Sequence, residues 1–460
     1  MPPRTSVVRA RGRVRPSFAR SILAVGAVAL MAAGLAACSS GSSSSSSTSV
    51  SKPGKVGGSL TVWVDSVRLP AAQAYAKAHP NVHVHIVTFD GDGNGATTLQ
   101  TKISLWNRTG RGWPDVIFSE QANDPVWMAQ APFKFAAPIK GLIPQSLLSQ
   151  WPAPSTAQCT VNGTQYCLQD NLAQDVLWVN KKLMSQFGYT VPTTWQQWAV
   201  LGQQVAKQHP GYIVGNVGDS FSHWIYFWAN QCPLEQLKGG KLVINATDAH
   251  CTEMANLLDP LVKDGTTPPL SVFTPDFAKK YGGATDKVLM MPGPSWYATS
   301  LFQATLHIPA GQITAAAPLQ WKSQTPITTG QVGGGPWIIS RHSTNLATAA
   351  NFVEWETTVF NPSGTNMRPG YPAYAPLATQ WLAMLAKNSY FASDPGPALQ
   401  AAAPLIWKGW DLVTYPDQPV WSNTVVTALV AGQPLSSLLG PFGDALAQAA
   451  SAAGYNVTRK

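Results

Sequence analysis

The sequence predicts an α/β fold built in two blocks, and three observations support this class. Short apolar or alternating segments typical of strands alternate with helical patterns from residue 59 to about residue 130, and the alternation resumes near residue 176. Such alternation is typical of parallel sheets covered by helices on both faces. The chain has 460 residues, which is enough for two domains, each with its own core.

The first block opens as a β-α-β unit and continues in the same manner. Pro80 ends the first helix, because proline cannot donate the backbone hydrogen bond that a further turn needs. The predicted strands are 59–64, 82–89 and 114–118, and the predicted helices are 71–78, 99–106 and 125–130.

The second block repeats the alternation with a strand, a long helix and a further strand. Strands are predicted at 176–179 and 288–291. Helix 195–208 is opened by a capping box, in which Thr194 and Gln197 satisfy each other's backbone N–H groups. Both blocks therefore predict sheets flanked by helices.

The amino-terminal 37 residues have the features of an export signal. A charged region precedes an apolar core at 22–35 that is too short to span a bilayer, and Leu35-Ala36-Ala37-Cys38 resembles a bacterial lipobox. We therefore expect Cys38 to be the lipidated first residue of the mature protein, on the outer face of the cytoplasmic membrane, followed by a serine-rich linker to residue 56. The alternative is an ordinary secretory signal cleaved near Ala37, which would leave a free thiol.

Most of the positive charge belongs to this leader. Residues 1–37 contain six arginines and no acidic residue, so their removal lowers the formal net charge from +9 to +3. Nucleic acid is therefore not an expected partner. No later apolar run is long enough to cross a membrane, so we expect globular lobes outside the cell on a flexible tether.

Four of the five cysteines lie in the mature body, where export favours disulfides. Neighbouring cysteines are predicted to pair, as Cys159–Cys167 and Cys232–Cys251. The first pair brackets a predicted hairpin. A two-residue Asn162-Gly163 loop would place Cys159 opposite Tyr166, so a loop with an odd number of residues is expected. The alternative is a zinc site, but the sequence has no Cys-x-x-Cys spacing and no histidines at ligand intervals.

Several segments follow one another in an order and spacing that carry a family resemblance. They are Trp113-Pro114-Asp115-Val116-Ile117-Phe118, Leu177-Trp178-Val179-Asn180-Lys181, Val191-Pro192-Thr193-Thr194-Trp195, Met291-Pro292-Gly293-Pro294-Ser295-Trp296, and Gly333-Gly334-Gly335 before a strand at 337–340. Together they resemble the bacterial extracellular solute-binding proteins (family 1) of sugar ABC importers, the class that includes maltose-binding protein. The resemblance covers nearly all of the mature chain.

The resemblance implies two α/β lobes, each with a mainly parallel sheet, joined by hinge strands. The expected lobes are 57–168 plus 333–368 and 169–332 plus 369–460, with crossings near Leu168, Val332 and Arg368. The three glycines before strand 337–340 supply the backbone freedom that a hinge requires, although an ordinary glycine loop would show the same pattern. The resemblance also implies that the protein is a monomer, has no cofactor and delivers a sugar to ABC permease subunits.

Candidate binding residues follow from two arguments. Ligands of open parallel sheets bind beyond the carboxyl ends of the strands, which selects Asp65, Ser66, Arg68, Glu120, Gln121, Asp170 and Asn171. The resemblance adds the segments that contact the sugar in relatives, and with them Asp219, Phe221, Trp224, Trp296 and Trp421.

The mature chain contains all 18 tryptophans, and many lie beside Gly, Pro, Ser or Asp, where strands should end. Flat aromatic rings suit the C–H face of a pyranose, so Trp296 and Trp421 are predicted stacking platforms. For a further group of aromatic residues, packing and binding are equally good interpretations; these are Trp63, Trp337, Tyr371 and Tyr374. Periodic apolar faces assign the remaining candidates to packing, namely Trp178, Trp195, Trp198 and Trp355.

Two motifs point weakly to metals. Asp90-Gly91-Asp92-Gly93-Asn94-Gly95 matches the first half of a calcium loop, but Thr101 stands where the loop requires a bidentate glutamate. We therefore prefer a glycine-rich turn there. His83 and His85 lie on one face of a strand without a nearby third ligand, so no metal site is predicted.

Two other classes of protein remain open. A surface-anchored glycoside hydrolase would need two carboxylates around one bond, which Glu120, Asp170 and Asp219 could supply. The chain has no serine-hydrolase elbow, no zinc-protease motif and no phosphate loop, so we expect no enzyme. A receptor of the same fold for a non-sugar solute is the other alternative.

Overall fold

A computed structural model describes residues 54–91, 93, 95–322, 324–359, 370–408, 410–411 and 413–460. The leader, Cys38, the serine-rich tether and the predicted crossing near Arg368 lie outside these residues. Within the described ranges, no helix combines the length and the apolar composition needed to cross a membrane.

Strands and helices alternate along the chain as predicted. The first block contains β1 Gly58–Val64, α1 Leu69–Ala78, β2 Val82–Thr88, α2 Thr98–Thr109, β3 Val116–Phe118, α3 Asp124–Ala129, α4 Gln145–Leu148, α5 Ala153–Gln158, β4 Thr160–Val161, β5 Thr164–Gln165 and β6 Cys167–Gln169. The second block contains β7 Asp175–Asn180, α6 Lys181–Phe187, α7 Trp195–Gln208, α8 Ser222–Ala229, β8 Glu235–Lys238, β9 Lys241–Ile244, α9 Ala249–Lys263, α10 Pro275–Tyr281, β10 Met290–Pro294, a π-helix Tyr297–Thr305 and β11 Ile313–Ala316. The remaining elements are β12 Pro336–Ile339, α11 Leu346–Thr358, α12 Ala375–Leu385, α13 Gly396–Ala402, α14 Gln418–Trp421, a π-helical turn Ser422–Val426, α15 Thr427–Val430, α16 Leu435–Ala452 and β13 Val457–Arg459.

The first lobe is built on a five-stranded sheet of order β2-β1-β3-β12-β6. β1 pairs in parallel with β2 and β3, and β12 pairs antiparallel with β3 and β6. Alternate residues of β1, namely Leu60, Val62 and Val64, are buried in the core. The alternation of strand and helix therefore predicted the parallel pairing of β1 with β2 and β3 correctly, but not the two antiparallel pairings of β12.

The second lobe is built on a three-stranded sheet of order β10-β7-β11, in which β7 pairs antiparallel with both neighbours. The prediction of a mainly parallel sheet is wrong for this sheet. Helix–strand alternation reports the order of elements, whereas pairing direction here is set by strands far apart in sequence. A second small sheet in this part of the chain, of order β13-β9-β8, pairs the carboxy-terminal strand with β9.

Element boundaries agree best where local chemistry defines them. α7 spans the predicted residues, and Thr194 and Gln197 form the predicted capping box. The strand predicted from Val288 begins instead at Met290, while Val288 makes a single parallel bridge with Ile213.

Both predicted disulfides are present, with Cα–Cα separations of 5.0 Å for Cys159–Cys167 and 4.7 Å for Cys232–Cys251. The predicted loop length was wrong, because β4 and β5 are joined by the two-residue loop Asn162-Gly163. Tyr166 donates its backbone N–H to Cys159 as the hairpin register requires. Cys167 begins β6, so the disulfide joins the end of the hairpin to the large sheet.

Three connecting segments lie side by side between the two sheets. Gln174 bridges Gln331, and the backbone N–H of Val332 donates to Ala173 over 3.1 Å. Asn171 bridges Pro372 in the third segment. The first passage follows β6 by a few residues, somewhat later than predicted at Leu168, and the predicted lobe boundaries remain predictions.

Candidate functional site

A cavity of about 350 Å³ lies where strand ends of the two sheets meet, and we call it the cleft cavity. The segments after β1 and β3, the glycines before β12 and the turn after β10 form its walls. Its lining residues are Asp65, Val67, Arg68, Gly93, Phe118, Glu120, Gln121, Asn171, Phe221, Trp224, Phe273, Trp296, Ser300, Val332, Gly333, Gly334, Gly335 and Gln418. Five of the seven residues that the strand-end rule selected therefore line this cavity.

Arg68 is the charged centre of the first-lobe wall. Its Nη1 atom is 2.5 Å from Asp65 Oδ2, its Nη2 atom is 2.9 Å from Asp170 Oδ2, and its guanidinium lies 3.7 Å from the centre of the Phe118 ring. Trp337 Nε1 donates to the other oxygen of Asp170 over 3.1 Å. Burial opposes the charged guanidinium, but the two carboxylates outweigh it and raise the pKa of Arg68.

Glu120 presents a carboxyl group to the cleft cavity with an unusual proton affinity. Desolvation by the surrounding walls and the charge of Asp65 raise its pKa to about 7, against the opposing charge of Arg68; Asp90 adds to the increase. Gly93 faces this group closely, since a Cβ atom there would lie 2.7 Å from Glu120 Oε2. Near neutral pH the group therefore exists in both protonation states.

Aromatic side chains form the second-lobe wall. Trp296 is half-buried, and its Nε1 atom donates to the carbonyl of Val332 over 2.8 Å, which fixes the ring plane. Phe273 lies nearly parallel to it, with ring centres 6.0 Å apart and an interplanar angle of 23°. Phe221 meets Trp296 edge to face. Since Phe273 is 41% exposed, the two nearly parallel rings offer an accessible apolar surface.

Trp224 forms the inner end of the cleft cavity. Its Nε1 atom donates to Asp417 Oδ2 over 2.7 Å, and the same oxygen is 2.8 Å from His223 Nε2. These bonds hold the indole on α8 in one orientation. The wall is therefore rigid at this point.

Gly333, Gly334 and Gly335 all adopt positive φ angles, of 87°, 104° and 24°. A Cβ atom at Gly334 would lie 2.8 Å from the carbonyl oxygen of Asn171 and would also overlap the Gln169 amide. Glycine is therefore required here for both backbone conformation and close approach.

Six predicted residues lie outside the lining. Asp170 and Trp337 are buried behind the wall, where they hold Arg68. The others are Ser66, which is exposed, and the buried residues Asp219, Tyr371 and Trp421. Of the remaining aromatic residues that were open between packing and binding, Trp63 packs on Trp106 and Phe89, and Tyr374 packs on Trp151.

The interpretation of Trp421 as a stacking platform is wrong for this structure. Its side chain is 1% exposed, and its ring stacks on His223 with ring centres 5.1 Å apart. Phe227 and Phe442 meet it edge to face. The rotation of its helix directs the ring into the core, so no face is available to a ligand.

Asp219 is buried close behind Phe221 rather than in the cavity. Its Oδ1 atom accepts from the Ser271 hydroxyl over 2.7 Å and from the backbone N–H of Val272 over 3.0 Å, whereas Oδ2 has no hydrogen-bond partner. Burial raises its pKa to about 7 despite these two bonds. Asp219 thereby anchors the loop that carries Phe273.

Sequence reasoning missed Phe273, Ser300 and Gln418. Phe273 lies in an irregular loop before α10, where no periodicity marks it as either buried or exposed. The sequence feature nearest to Phe273 is Thr274, whose side-chain oxygen caps α10 by accepting a hydrogen bond from the backbone N–H of Phe277.

The acids proposed for hydrolysis do not converge. Of Glu120, Asp170 and Asp219, only Glu120 lines the cleft cavity. Over the described residues, no group of three or more His, Cys, Asp or Glu side chains is arranged to hold a metal ion. Asp92 and Asn94 of the calcium-like motif lie outside the described residues, and Asp90 accepts the backbone N–H of Ser66 over 2.7 Å.

A family model described as bacterial extracellular solute-binding protein matches residues 57–358. No curated protein matches the sequence.

Solved structures with a similar fold include two binding proteins and one receptor. The galacto-N-biose-/lacto-N-biose I-binding protein of the ABC transporter from Bifidobacterium longum, in complex with lacto-N-biose, has a TM-score of 0.71 at 15% identity, over 88% of this chain and 100% of that chain. An ABC transporter-associated binding protein from B. animalis subsp. lactis, in complex with β-1,6-galactobiose, has a TM-score of 0.71 at 18% identity, with the same coverage. The GacH receptor of Streptomyces glaucescens has a TM-score of 0.62 at 16% identity, over 86% of this chain and 98% of that chain. The TM-scores show that the chain shares a two-lobed α/β fold with these proteins. At identities of 15–18% the likeness shows the fold alone.

Proposed function

The chain belongs to the bacterial extracellular solute-binding proteins, and we propose that it captures a sugar or oligosaccharide in the cleft cavity and delivers it to an ABC permease. The composition of the cavity carries this proposal, because accessible aromatic rings face carboxylate and amide groups. A pyranose needs both, since it has apolar C–H faces and a rim of hydroxyls. The bound sugars of the similar structures from Bifidobacterium longum and B. animalis support the same ligand class.

We assign different tasks to the two walls. Trp296 and Phe273 stack against the C–H face of the sugar, and Glu120, Gln121 and Asn171 hydrogen-bond its hydroxyls. The donors of Arg68 are already directed at two carboxylates, so its main task is to hold this wall in place.

Capture follows from contacts made by both lobes. The first-lobe wall supplies most polar groups and the second-lobe wall supplies the rings, so a ligand that touches both favours the arrangement in which the walls are close. The three glycines at 333–335 lie in one of the connecting segments and supply backbone freedom for this movement. The closed form then docks on the permease.

Replacement of Trp296 tests the ligand class and the site together. We expect Trp296→Ala to weaken binding by about 1–3 kcal/mol without unfolding the protein, because the variant loses stacking area but no buried core. The measurement is titration calorimetry with lacto-N-biose, β-1,6-galactobiose and maltose, selected first by thermal shift. Trp355→Ala is the matched control, because Trp355 is also half-buried but packs on His79 and Tyr75. Equal affinity in Trp296→Ala and the parent would exclude Trp296 from the site.

We propose binding without catalysis. A glycoside hydrolase needs two carboxylates around one bond. Of the three candidate acids Glu120 alone lines the cavity, and the other lining carboxylate, Asp65, is paired with Arg68. Release of reducing ends from an incubated oligosaccharide would contradict this proposal. A thermal shift with a non-sugar solute and with none of the sugars would favour a receptor of another ligand class.

We also propose that Cys38 carries lipid and tethers a monomer to the outer face of the cytoplasmic membrane. The lipobox-like sequence and the serine-rich linker support this proposal. Palmitate labelling of the parent chain, lost in Cys38→Ser, is the expected result. Retained label in Cys38→Ser would contradict lipidation at this residue.

A further inference from the structure

A second cavity, of about 300 Å³, lies apart from the cleft cavity, and we call it the indole pocket. Helices α3 and α5 and the β4–β5 hairpin form one side, and residues 406–408, 410 and 411 form the other. We propose that the indole pocket is a second saccharide-binding site, able to hold a mono- or disaccharide independently of the cleft cavity. Its volume is at the lower end of the range for small-molecule sites, about 300–1,000 Å³.

Three indole rings give the pocket its shape. Trp228 and Trp410 have ring centres 5.4 Å apart with planes at 87°, Trp228 and Trp407 are 6.4 Å apart at 81°, and Trp407 and Trp410 are 6.5 Å apart at 75°. The three planes are therefore nearly perpendicular to one another beside one cavity. Hydrogen bonds fix two of the positions, since Trp410 Nε1 donates to the carbonyl of Cys232 and the Trp407 backbone donates to Thr329. Such a corner can pack against more than one apolar face of a sugar ring.

Two polar atoms in the inner wall have no hydrogen-bond partner among the residues that the structure describes. Gln331 is 1% exposed and its Oε1 atom is unpaired, although its Nε2 atom donates to Gln158 over 3.3 Å. Trp228 is 6% exposed and its Nε1 atom is also unpaired. Buried polar groups without partners are rare and costly. A hydroxyl group can donate to the amide oxygen and accept from an indole N–H, so the chemistry of a sugar matches both atoms.

The charges at the pocket select a neutral ligand. Lys408 and Asp411 both line it, so one positive and one negative side chain offset each other. An aromatic corner with acids alone would instead favour a quaternary ammonium ion. The amides of Gln130, Gln158 and Asn162 complete the lining with further hydrogen-bonding groups. Apolar rings, amides and balanced charge together favour a carbohydrate.

The two cavities are separated by a constriction of about 20 Å³. Trp224 lines the cleft cavity and the constriction, whereas Trp228, Trp410 and Gln331 line the constriction and the indole pocket. A space this small holds about one water molecule and no sugar ring. Ligands therefore occupy the two cavities as separate molecules, and the inference goes beyond the proposed function of the cleft.

The experiment uses the mature protein labelled with 5-fluorotryptophan and followed by fluorine NMR. The resonances of Trp296 and Trp407 are assigned from Trp296→Phe and Trp407→Phe. Lacto-N-biose, β-1,6-galactobiose and maltose are titrated in turn, and choline chloride is titrated as the cationic probe. We expect the Trp407 resonance to shift saturably with at least one saccharide, and this response to persist in Trp296→Ala. Trp407→Ala should weaken the second binding event about tenfold or more, the loss expected for a buried aromatic contact of at least 1.4 kcal/mol.

The outcomes separate this inference from the proposed function. A response at Trp296 with none at Trp407 overturns the indole pocket as a saccharide site and leaves the cleft proposal intact. A response at Trp407 to choline alone overturns the ligand class. A Trp407 response whose midpoint concentration rises in Trp296→Ala, or that disappears there, shows one site rather than two and also overturns the inference. Trp355→Ala controls for loss of a half-buried indole elsewhere, and both responses should remain in it.

Discussion

Under the proposal that Glu120 hydrogen-bonds the sugar, its raised pKa of about 7 makes sugar binding dependent on pH with a definite sign and size. A sugar hydroxyl that donates to this side chain binds the carboxylate more strongly than the protonated acid, which has less acceptor capacity. Binding is therefore at full strength above the pKa of about 7 and weakens as the pH falls through it. If the carboxylate alone binds, the dissociation constant at pH 6 is about tenfold that at pH 8, since one unit below the pKa leaves about a tenth of the groups ionised.

Calorimetry from pH 6 to pH 8 measures this dependence. Glu120→Gln should bind more weakly than the parent at pH 8 and should show a flat profile. The matched control is Glu354→Gln, because Glu354 lies on α11, away from the cleft lining, and burial raises its pKa as well. The charges of Asp65, Arg68 and Asp90 act on Glu120. An affinity that is constant in the parent, or equally pH-dependent in Glu120→Gln, would refute the reasoning; the second result would point to Asp219, whose pKa is also about 7.

Two further predictions concern positions that the structure explains by packing. Gly334→Ala should lower the free energy of unfolding in urea by more than Gly432→Ala. Both glycines have positive φ, so alanine at either position is strained by about 1–3 kcal/mol, but the added Cβ at position 334 also meets the Asn171 carbonyl. Equal losses of stability in the two variants would contradict this reasoning. Trp421→Ala should lower the free energy of unfolding by about 3–5 kcal/mol, because the Trp421 ring is buried against His223 and Phe442. The sugar affinity of the folded protein should not change. Weaker binding without a loss of stability would restore Trp421 to the site.

The features that sequence predicted well are set by local chemistry. The bounds of α7 follow from the capping box at Thr194 and from apolar spacing, and neither depends on distant parts of the chain. The strand-end rule brought Asp65, Glu120 and Asn171 to one cavity because parallel strands carry their carboxyl ends to the same edge.

The features that sequence predicted poorly depend on tertiary packing. Trp296 immediately precedes a π-helix and Trp421 ends α14, but the ring of Trp296 turns towards the cleft and the ring of Trp421 towards His223. Phe273 lies in a loop, where the sequence has no periodic apolar pattern from which its exposure could be predicted. The antiparallel pairing of β7 with β10 likewise depends on contact between strands far apart in sequence. The family resemblance predicted two lobes but did not predict this strand direction.

The contacts of Arg68 have a consequence for attempts to change what this receptor carries. Because its guanidinium already joins the end of β1 to the connecting segment through Asp65 and Asp170, that half of the site is in place before any guest arrives. Substitution of Arg68, Asp65 or Asp170 would reduce the preorganisation of this wall for every ligand equally. Selectivity is more safely re-engineered at Phe273 and Ser300 on the opposite half, where a changed side chain meets the guest without loosening the frame.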